Sequence, residues 1–108
     1  MRQLDHYGMP TDEKHENEVW VEATRVWVTS PDESPKRIEY LRYEPDSPVT
    51  GPIREQPHIA FRTDDMKREI EGLEVILGPF TPYEGLEVVF VMKDGAVFEF
   101  MEYAEDKA

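Results

Sequence analysis

Apolar and polar positions alternate along much of this chain, and the pattern predicts a protein built mainly from β-strands. The alternating stretches are rich in β-branched and aromatic residues, and turn-forming Gly, Pro and Asp residues separate them. The predicted strands are Leu4–Met9, Lys36–Tyr43, His58–Thr63, Leu73–Leu77, Leu86–Met92 and Val97–Tyr103. The segment Val19–Ser30 is also predicted to contain strand structure. The stretches GPFTPYEG and KDG are predicted to separate the last three strands, with a hairpin turn at Asp94–Gly95.

The pattern predicts one short helix, directly after the strand that begins the second half of the chain. Thr63 or Asp64 can cap its start, because short polar side chains accept hydrogen bonds from the free N–H groups of a first helical turn. Met66 and Ile70 lie four residues apart, which places both on one helix face. Gly72 is a typical helix stop.

The two halves of the chain follow a similar order of elements, which indicates an internal duplication. The second half predicts a strand, a helix and three more strands. The first half has strands in matching places, but Pro10–Glu18 lacks apolar periodicity and predicts a polar loop where the helix would be. Glu44–Pro57, with four prolines and one glycine, predicts an irregular connector. Because helix content is low, we expect an α+β fold dominated by an antiparallel, curved sheet.

The composition narrows the classes of protein. At 108 residues the chain is long enough for a single domain, residues 1–108, with one hydrophobic core. Acidic residues outnumber basic ones by 24 to 12 without a basic cluster, which argues against nucleic acids and anionic membranes as partners. The chain has no cysteine, no apolar run of roughly 20 residues and no signal-peptide core near its N-terminus. We therefore expect a soluble cytoplasmic protein.

Four residues that can carry chemistry lie in four different predicted strands: His6, Glu39, His58 and Glu99. Glu99 shares its strand face with apolar neighbours, so it either points to solvent at an edge or is held inside. Two imidazoles and two carboxylates in one concave space would suit a divalent first-row metal ion. Each residue alone also has an ordinary interpretation, since a half-buried His is more often structural and a Glu in an acidic protein is usually solvated.

Several stretches together are similar to a known superfamily. The second half contains PHIAFRTDDM, LEVILGPFTPYEG and LEVVFVMKDGAVFEFME, and the first half contains LDHYGMP and RIEYLRYEPDSPV. They resemble the modules of the vicinal oxygen chelate superfamily, which includes glyoxalase I, methylmalonyl-CoA epimerase, extradiol dioxygenases and bleomycin-resistance proteins. The glyoxalase I and epimerase branches are closest in pattern.

The resemblance implies a fold of two βαβββ modules, at about residues 1–48 and 57–103, that form a cupped, barrel-like sheet. The first module departs from the family because the polar loop after its first strand offers no apolar face to replace the helix. The loss of most of this helix would leave sheet surface uncovered. We therefore expect a homodimer, in which a partner chain covers this surface.

The resemblance also implies a site, because His6, Glu39, His58 and Glu99 match the four positions at which the family's metalloenzymes place ligands. Glu44 would replace Glu39 if the strand register differed. The implied cofactor is a divalent Zn, Ni, Mn, Co or Fe ion. The implied activity is that of a lyase or isomerase acting on a small, oxygen-rich carbonyl compound through a metal-stabilised enediolate, with Glu99 or Glu39 as the base.

Two other interpretations stay open. In the first, the chain is a metal-free protein of the bleomycin-resistance type that sequesters a small molecule, and the four polar residues are structural. In the second, the chain is a cupin-like small barrel, although the expected His-x-His pair is missing.

Overall fold

The structure, a computed structural model, describes residues 2–107, and strands within this range join in one eight-stranded curled sheet. In chain order the strands are β1 (Arg2–Pro10), β2 (Val19–Val21), β3 (Val26–Val28), β4 (Ile38–Tyr43), β5 (His58–Thr63), β6 (Glu74–Tyr83), β7 (Leu86–Lys93) and β8 (Ala96–Tyr103). The α-helices of the same range are α1 (Pro52–Glu55) and α2 (Met66–Glu69). Short 3-10 helices lie at Pro31–Glu33, between β3 and β4, and at Ala104–Asp106, after β8. None of these helices is long and apolar enough to span a membrane.

The strand order confirms the predicted duplication and the α+β class. Across the sheet the order is β2-β3-β4-β1-β5-β8-β7-β6. In the first half, the first strand, β1, pairs in parallel with the last strand, β4. In the second half, β5 pairs in parallel with β8 in the same way. The antiparallel pair β1–β5 joins the halves at the centre. Each half is therefore a module of four strands, and the described part of the first module has a loop, residues 11–18, where the second has α2.

Apolar side chains on the concave side of the sheet form two clusters, one centred on each module, and the larger one includes Val49 of the connector and Ile53 of α1. The first-module cluster is Val21, Val26, Val28 and Leu41. The larger cluster centres on the second module and is Val49, Ile53, Ala60, Leu86, Val88, Phe90, Val97 and Met101. Tyr43 packs against both clusters. The cup is therefore lined by apolar side chains on both sides.

The convex face is covered differently in the two modules. In the second module, Met66 of α2 packs with Val89, Val91 and Phe100, and all four side chains are buried. Period-two alternation explains this, because residues at odd positions of β7 face the helix while those at even positions face the cup. In the first module, Tyr7 remains 40% exposed on the corresponding face.

Three local predictions differ from the structure. GPFTPYEG was predicted to lie between strands, but β6 continues through it to Tyr83. The prolines Pro79 and Pro82 fit there because β6 is an edge strand, where a missing N–H donor costs little pairing. The connector before β5 contains α1, which begins after Gly51 with a positive φ of 72°. The side chain that caps α2 is that of Asp65, one residue later than predicted.

Other local predictions are confirmed. The segment Val19–Ser30 holds strand structure, as two short strands joined by a turn in which Arg25 has a φ of 47°. Asp94 and Gly95 both have positive φ and form the two-residue turn between β7 and β8. This turn fixes the register of β8, and with it the face on which Glu99 lies.

Candidate metal centre

The strand register brings the four predicted site residues to the centre of the cup. His6 and Glu99 are both cross-strand partners of Ala60, so the three residues form one row across β1, β5 and β8. Glu39 and His58 are in the same way both partners of Gly8, in a second row across β4, β1 and β5. In each row, therefore, a very small residue has an imidazole on one side and a carboxylate on the other.

The distances show that the four polar ends lie close together. Oε1 of Glu99 lies 3.0 Å from Nε2 of His58 and 3.4 Å from Nε2 of His6. Oε1 of Glu39 lies 3.3 Å from Nε2 of His6. One potential ligand atom from each of His6, Glu39 and His58 lies within 4.8 Å of the others. This is a group that can hold a metal ion.

Burial makes the histidines of the site unusual. The exposed fraction is 2% for both His6 and His58 and 7% for Glu99. Among the described residues, Nε2 of His6 and both ring nitrogens of His58 have no hydrogen-bond partner, because the carboxylate contacts at Nε2 lack hydrogen-bond geometry. An unsatisfied buried polar atom costs about 1–3 kcal/mol, so three in one cluster call for a partner. Nitrogen and carboxylate donors fit a divalent first-row ion in that role.

Asp5 orients the ring of His6. Its Oδ2 lies 2.7 Å from Nδ1 of His6, so Nδ1–H donates to the carboxylate and Nε2 faces the site. Neighbouring strand residues normally point to opposite faces, but the β1 register shifts between Leu4 and His6, as in a β-bulge. Arg37 holds this segment by donating from Nε to the backbone oxygen of Asp5 at 2.8 Å.

The electrostatics of the cluster favour positive charge. Burial by itself lowers the pKa of His6, but the carboxylates of Asp5, Glu39 and Glu99 outweigh it and raise that pKa to about 12. Burial raises the pKa of Glu99, and the imidazoles of His58 and His6 outweigh it, so the net change is downward. Metal ions compete with protons for imidazole and carboxylate ligands, and this cluster holds positive charge strongly.

A cavity of about 90 Å³ opens beside the cluster on the concave face. Its lining is mostly apolar and includes Phe80, Phe90 and the ring of Tyr43. A wider, more polar mouth of about 320 Å³ adjoins it and shares His6 and Glu39 with it. A small molecule in the cavity would therefore reach the polar groups directly.

The remaining predicted residues lie elsewhere. Glu44, the alternative to Glu39, lies 3.8 Å from Nη1 of Arg42 and is not part of the cavity lining that the structure describes. His15 stacks on Tyr40 in the loop that replaces the first helix, with 4.3 Å between ring centroids. Sequence reasoning missed Asp5 and Gly8. The sequence did carry a signal for Gly8, because His6 and His58 are each followed two residues later by a very small residue, Gly8 and Ala60.

Comparisons with solved structures support the fold. A hypothetical protein from Bacillus halodurans superposes with a TM-score of 0.68 at 20% identity, over 94% of each chain. Methylmalonyl-CoA epimerase from Mycobacterium tuberculosis superposes with a TM-score of 0.53 at 14% identity, over 94% of this chain and 87% of the epimerase. No protein-family model and no curated protein matches the sequence. At these identities the likeness concerns the fold alone, and that fold is the vicinal oxygen chelate fold.

Proposed function

From the vicinal oxygen chelate fold and its central cluster, we propose that this chain is a metal-dependent enzyme of the lyase or isomerase type. It removes a proton next to a carbonyl group of a small, oxygen-rich compound. One observation carries the proposal: two imidazoles and two carboxylates from four strands converge beside a cavity, and three of the buried ring nitrogens lack a hydrogen-bond partner among the described residues.

The residues that would hold the ion are the four of the cluster: His6, Glu39, His58 and Glu99. Nε2 is the ring atom of each histidine that lies near a carboxylate of the cluster, so Nε2 would be the ligand atom. Such a set of borderline nitrogen and hard oxygen donors suits Zn, Ni, Mn, Co or Fe. When bound, the divalent ion supplies Lewis-acid stabilisation of the negative charge that develops on the substrate oxygens, worth several kcal/mol.

The exposure and contacts of the two glutamates support different tasks for them. The side chain of Glu99 is 9% exposed and contacts both imidazoles, so it holds the two histidines together. The side chain of Glu39 is 18% exposed, lies 3.3 Å from Nε2 of His6, and lines both the cavity and its mouth. A base must reach the substrate, so in our proposal Glu39 would leave the ion and take the proton, and Glu99 is the second candidate.

The rest of the cavity supports this chemistry by excluding water. Val88, Phe90 and Met101 are buried side chains that line it. An apolar lining lowers the local dielectric constant and strengthens each charge interaction at the site. Asp5 keeps the ring of His6 in one orientation during the reaction, which avoids reorganisation.

Proton exchange tests the proposed activity. The metal-loaded chain is incubated in D₂O with a panel of small 2-hydroxy and 2-oxo carbonyl compounds, and NMR follows the proton next to the carbonyl. We expect exchange of this proton with at least one compound, and its loss in Glu39→Gln. The control is Glu16→Gln, an exposed glutamate in the loop of the first module. Exchange that is unchanged in Glu39→Gln contradicts the assignment of the base, and no exchange across the panel contradicts the activity.

A second function has one observation in its favour. The apolar, aromatic lining of the cavity also suits a metal-free protein that sequesters a small molecule, as in the bleomycin-resistance type. In that case the wild-type chain binds no metal. An apolar ligand would then bind equally well to the wild type and to His58→Ala.

We also propose that two chains associate through the convex face of the first module. Tyr7 and Met9 are 40% and 36% exposed there, whereas α2 buries the corresponding face of the second module. Light scattering after gel filtration should give twice the chain mass. Met9→Glu places a charge on this face and should give the mass of one chain. A wild-type chain of single mass at micromolar concentration contradicts the proposal.

A further inference from the structure

We infer that the substrate carries no anionic group beyond the oxygens that meet the cluster: it is an uncharged or cationic small molecule. Phosphorylated and carboxylated compounds are thereby excluded as a class. The inference rests on the proposed function in one respect, since it takes the cavity beside the cluster as the place of the substrate.

Outside the cluster, the interior of the cavity offers no cationic side chain among its described residues to bind an anion. The described residues that line it include no Lys and no Arg. Its polar side chains apart from the cluster are the hydroxyl-bearing Thr24, Tyr43 and Tyr83. Burying a phosphate or carboxylate without a cation to pair with it is strongly unfavourable. The part of the substrate that fills this space is therefore apolar.

The mouth of the cavity repels anions. Three carboxylates outside the cluster line it, those of Asp5, Asp32 and Glu84. Apart from His6 of the cluster, Arg37 is the one cationic side chain among the described residues that line the mouth, and it is already paired with carboxylates. Its Nη1 donates to Asp32 at 2.5 Å, and its Nε donates to the backbone oxygen of Asp5 at 2.8 Å. Sites that recognise phosphate or carboxylate present an Arg or Lys whose charge is not already paired, whereas Arg37 is paired with Asp32 and lies 3.8 Å from a carboxylate oxygen of Asp5.

The charge of the whole chain acts in the same direction. The formal net charge is −12 at pH 7, so an anion approaches against a repulsive field and a cation with an attractive one. At moderate salt the exposed part of this field is screened over about 10 Å, so the groups at the mouth dominate. We expect discrimination of about tenfold for each unit of charge on the substrate, as for charges a few ångströms apart near a protein surface.

A matched series of probes tests the inference. Benzohydroxamic acid presents two adjacent oxygens on an apolar ring, and its 4-carboxy and 4-aminomethyl derivatives add one charge of either sign at the far end. NMR titration measures their affinities for the chain with and without Co²⁺. We expect the aminomethyl probe to bind at least as tightly as the parent, and the carboxy probe about tenfold more weakly, in both forms.

A variant of the mouth sharpens the test. Asp32→Asn removes the carboxylate that engages Nη1 of Arg37, so the discrimination against the carboxy probe should fall severalfold. Glu71→Gln removes the same charge from an exposed position after α2, outside the residues that line the cavity and mouth, and should leave the discrimination unchanged.

The outcomes separate the inference from the proposed function. If the carboxy probe binds as tightly as the parent, or if no probe binds, the inference is overturned. A failure of Co²⁺ to bind overturns the proposed metal enzyme and leaves the charge preference measurable on the metal-free chain. Equal effects of Asp32→Asn and Glu71→Gln contradict the role of the mouth.

Discussion

Gly8 and His58 are cross-strand partners, and a Cβ atom at position 8 would lie 2.0 Å from Cε1 and 2.4 Å from Nε2 of His58. The imidazole therefore occupies the space that any other residue at position 8 would fill. Ala60 of the second module is in the same way the cross-strand partner of His6. The two histidines can converge because the residue opposite each of them is very small.

Gly8→Ala is expected to weaken metal binding without removing a ligand. The atoms in the way are the far end of a side chain, so His58 can rotate aside and the fold is retained. Misplacing one ligand should weaken metal affinity by roughly tenfold or more. Metal titration by calorimetry measures this change, and circular dichroism checks the fold. Tyr7→Ala, the neighbouring residue on the opposite strand face, is the control. An unchanged affinity in Gly8→Ala would show that the position of His58 does not matter.

Asp5→Asn is expected to lower metal affinity by about 10–100-fold, the usual effect of removing a carboxylate that orients a histidine ligand. The amide can still accept the Nδ1–H bond at 2.7 Å, but it no longer supplies charge to the imidazole. Asp5→Ala removes both the hydrogen bond and the charge, so this variant should bind the metal more weakly still. Asp12→Asn, an exposed aspartate in the following loop, is the control. Equal affinities in wild type and Asp5→Ala would contradict the role of Asp5 as a positioning residue.

Glu18→Gln is expected to destabilise the fold in a pH-dependent way. Glu18 accepts two hydrogen bonds from Arg42, at 2.9 and 2.7 Å, and its side chain is 6% exposed. Arg42 lies over the ring of Trp27, so this pair fastens the loop that replaces the first helix. The hydrogen bonds to Arg42 lower the pKa of Glu18 below its usual 4.5.

The sign of the pH dependence follows from that direction. A carboxyl group with a lowered folded pKa stabilises the fold above about pH 4.5, and this stability is lost as the pH falls through the folded pKa. Urea unfolding should therefore show a loss of about 1–2 kcal/mol in Glu18→Gln at pH 7, shrinking towards zero in acid. Glu16→Gln, exposed in the same loop, should have little effect at either pH. A loss of the same size at both pH values would mean that the charge of Glu18 is not its cause.

Much of the fold could be predicted from local sequence patterns. The period-two pattern placed His58 on the face of Ala60, and the turn at Asp94–Gly95 set the register of Glu99, and both hold in the structure. The break expected at Gly78 failed because the periodicity does not reveal that β6 is an edge strand, where proline is tolerated.

The site could be predicted in part. Residue type and strand assignment were enough to name the four clustered residues, whose role as ligands stays a prediction. The role of Gly8 depends on cross-strand register, and that of Asp5 depends on a bulge in β1. Both are properties of how strands pair, so a single sequence carries little signal for them.

Metal content measured together with ligand variants tests the central claim most directly. The chain is loaded with Zn²⁺, Ni²⁺, Mn²⁺, Co²⁺ or Fe²⁺ in separate samples, desalted and analysed by mass spectrometry of the metal. We predict about one ion per chain for at least one metal, and its loss in His58→Ala and in Glu99→Ala. His15→Ala, which removes a histidine outside the cluster, should keep the full content. Equal metal content in the wild type, His58→Ala and Glu99→Ala, or none in the wild type, would contradict the account.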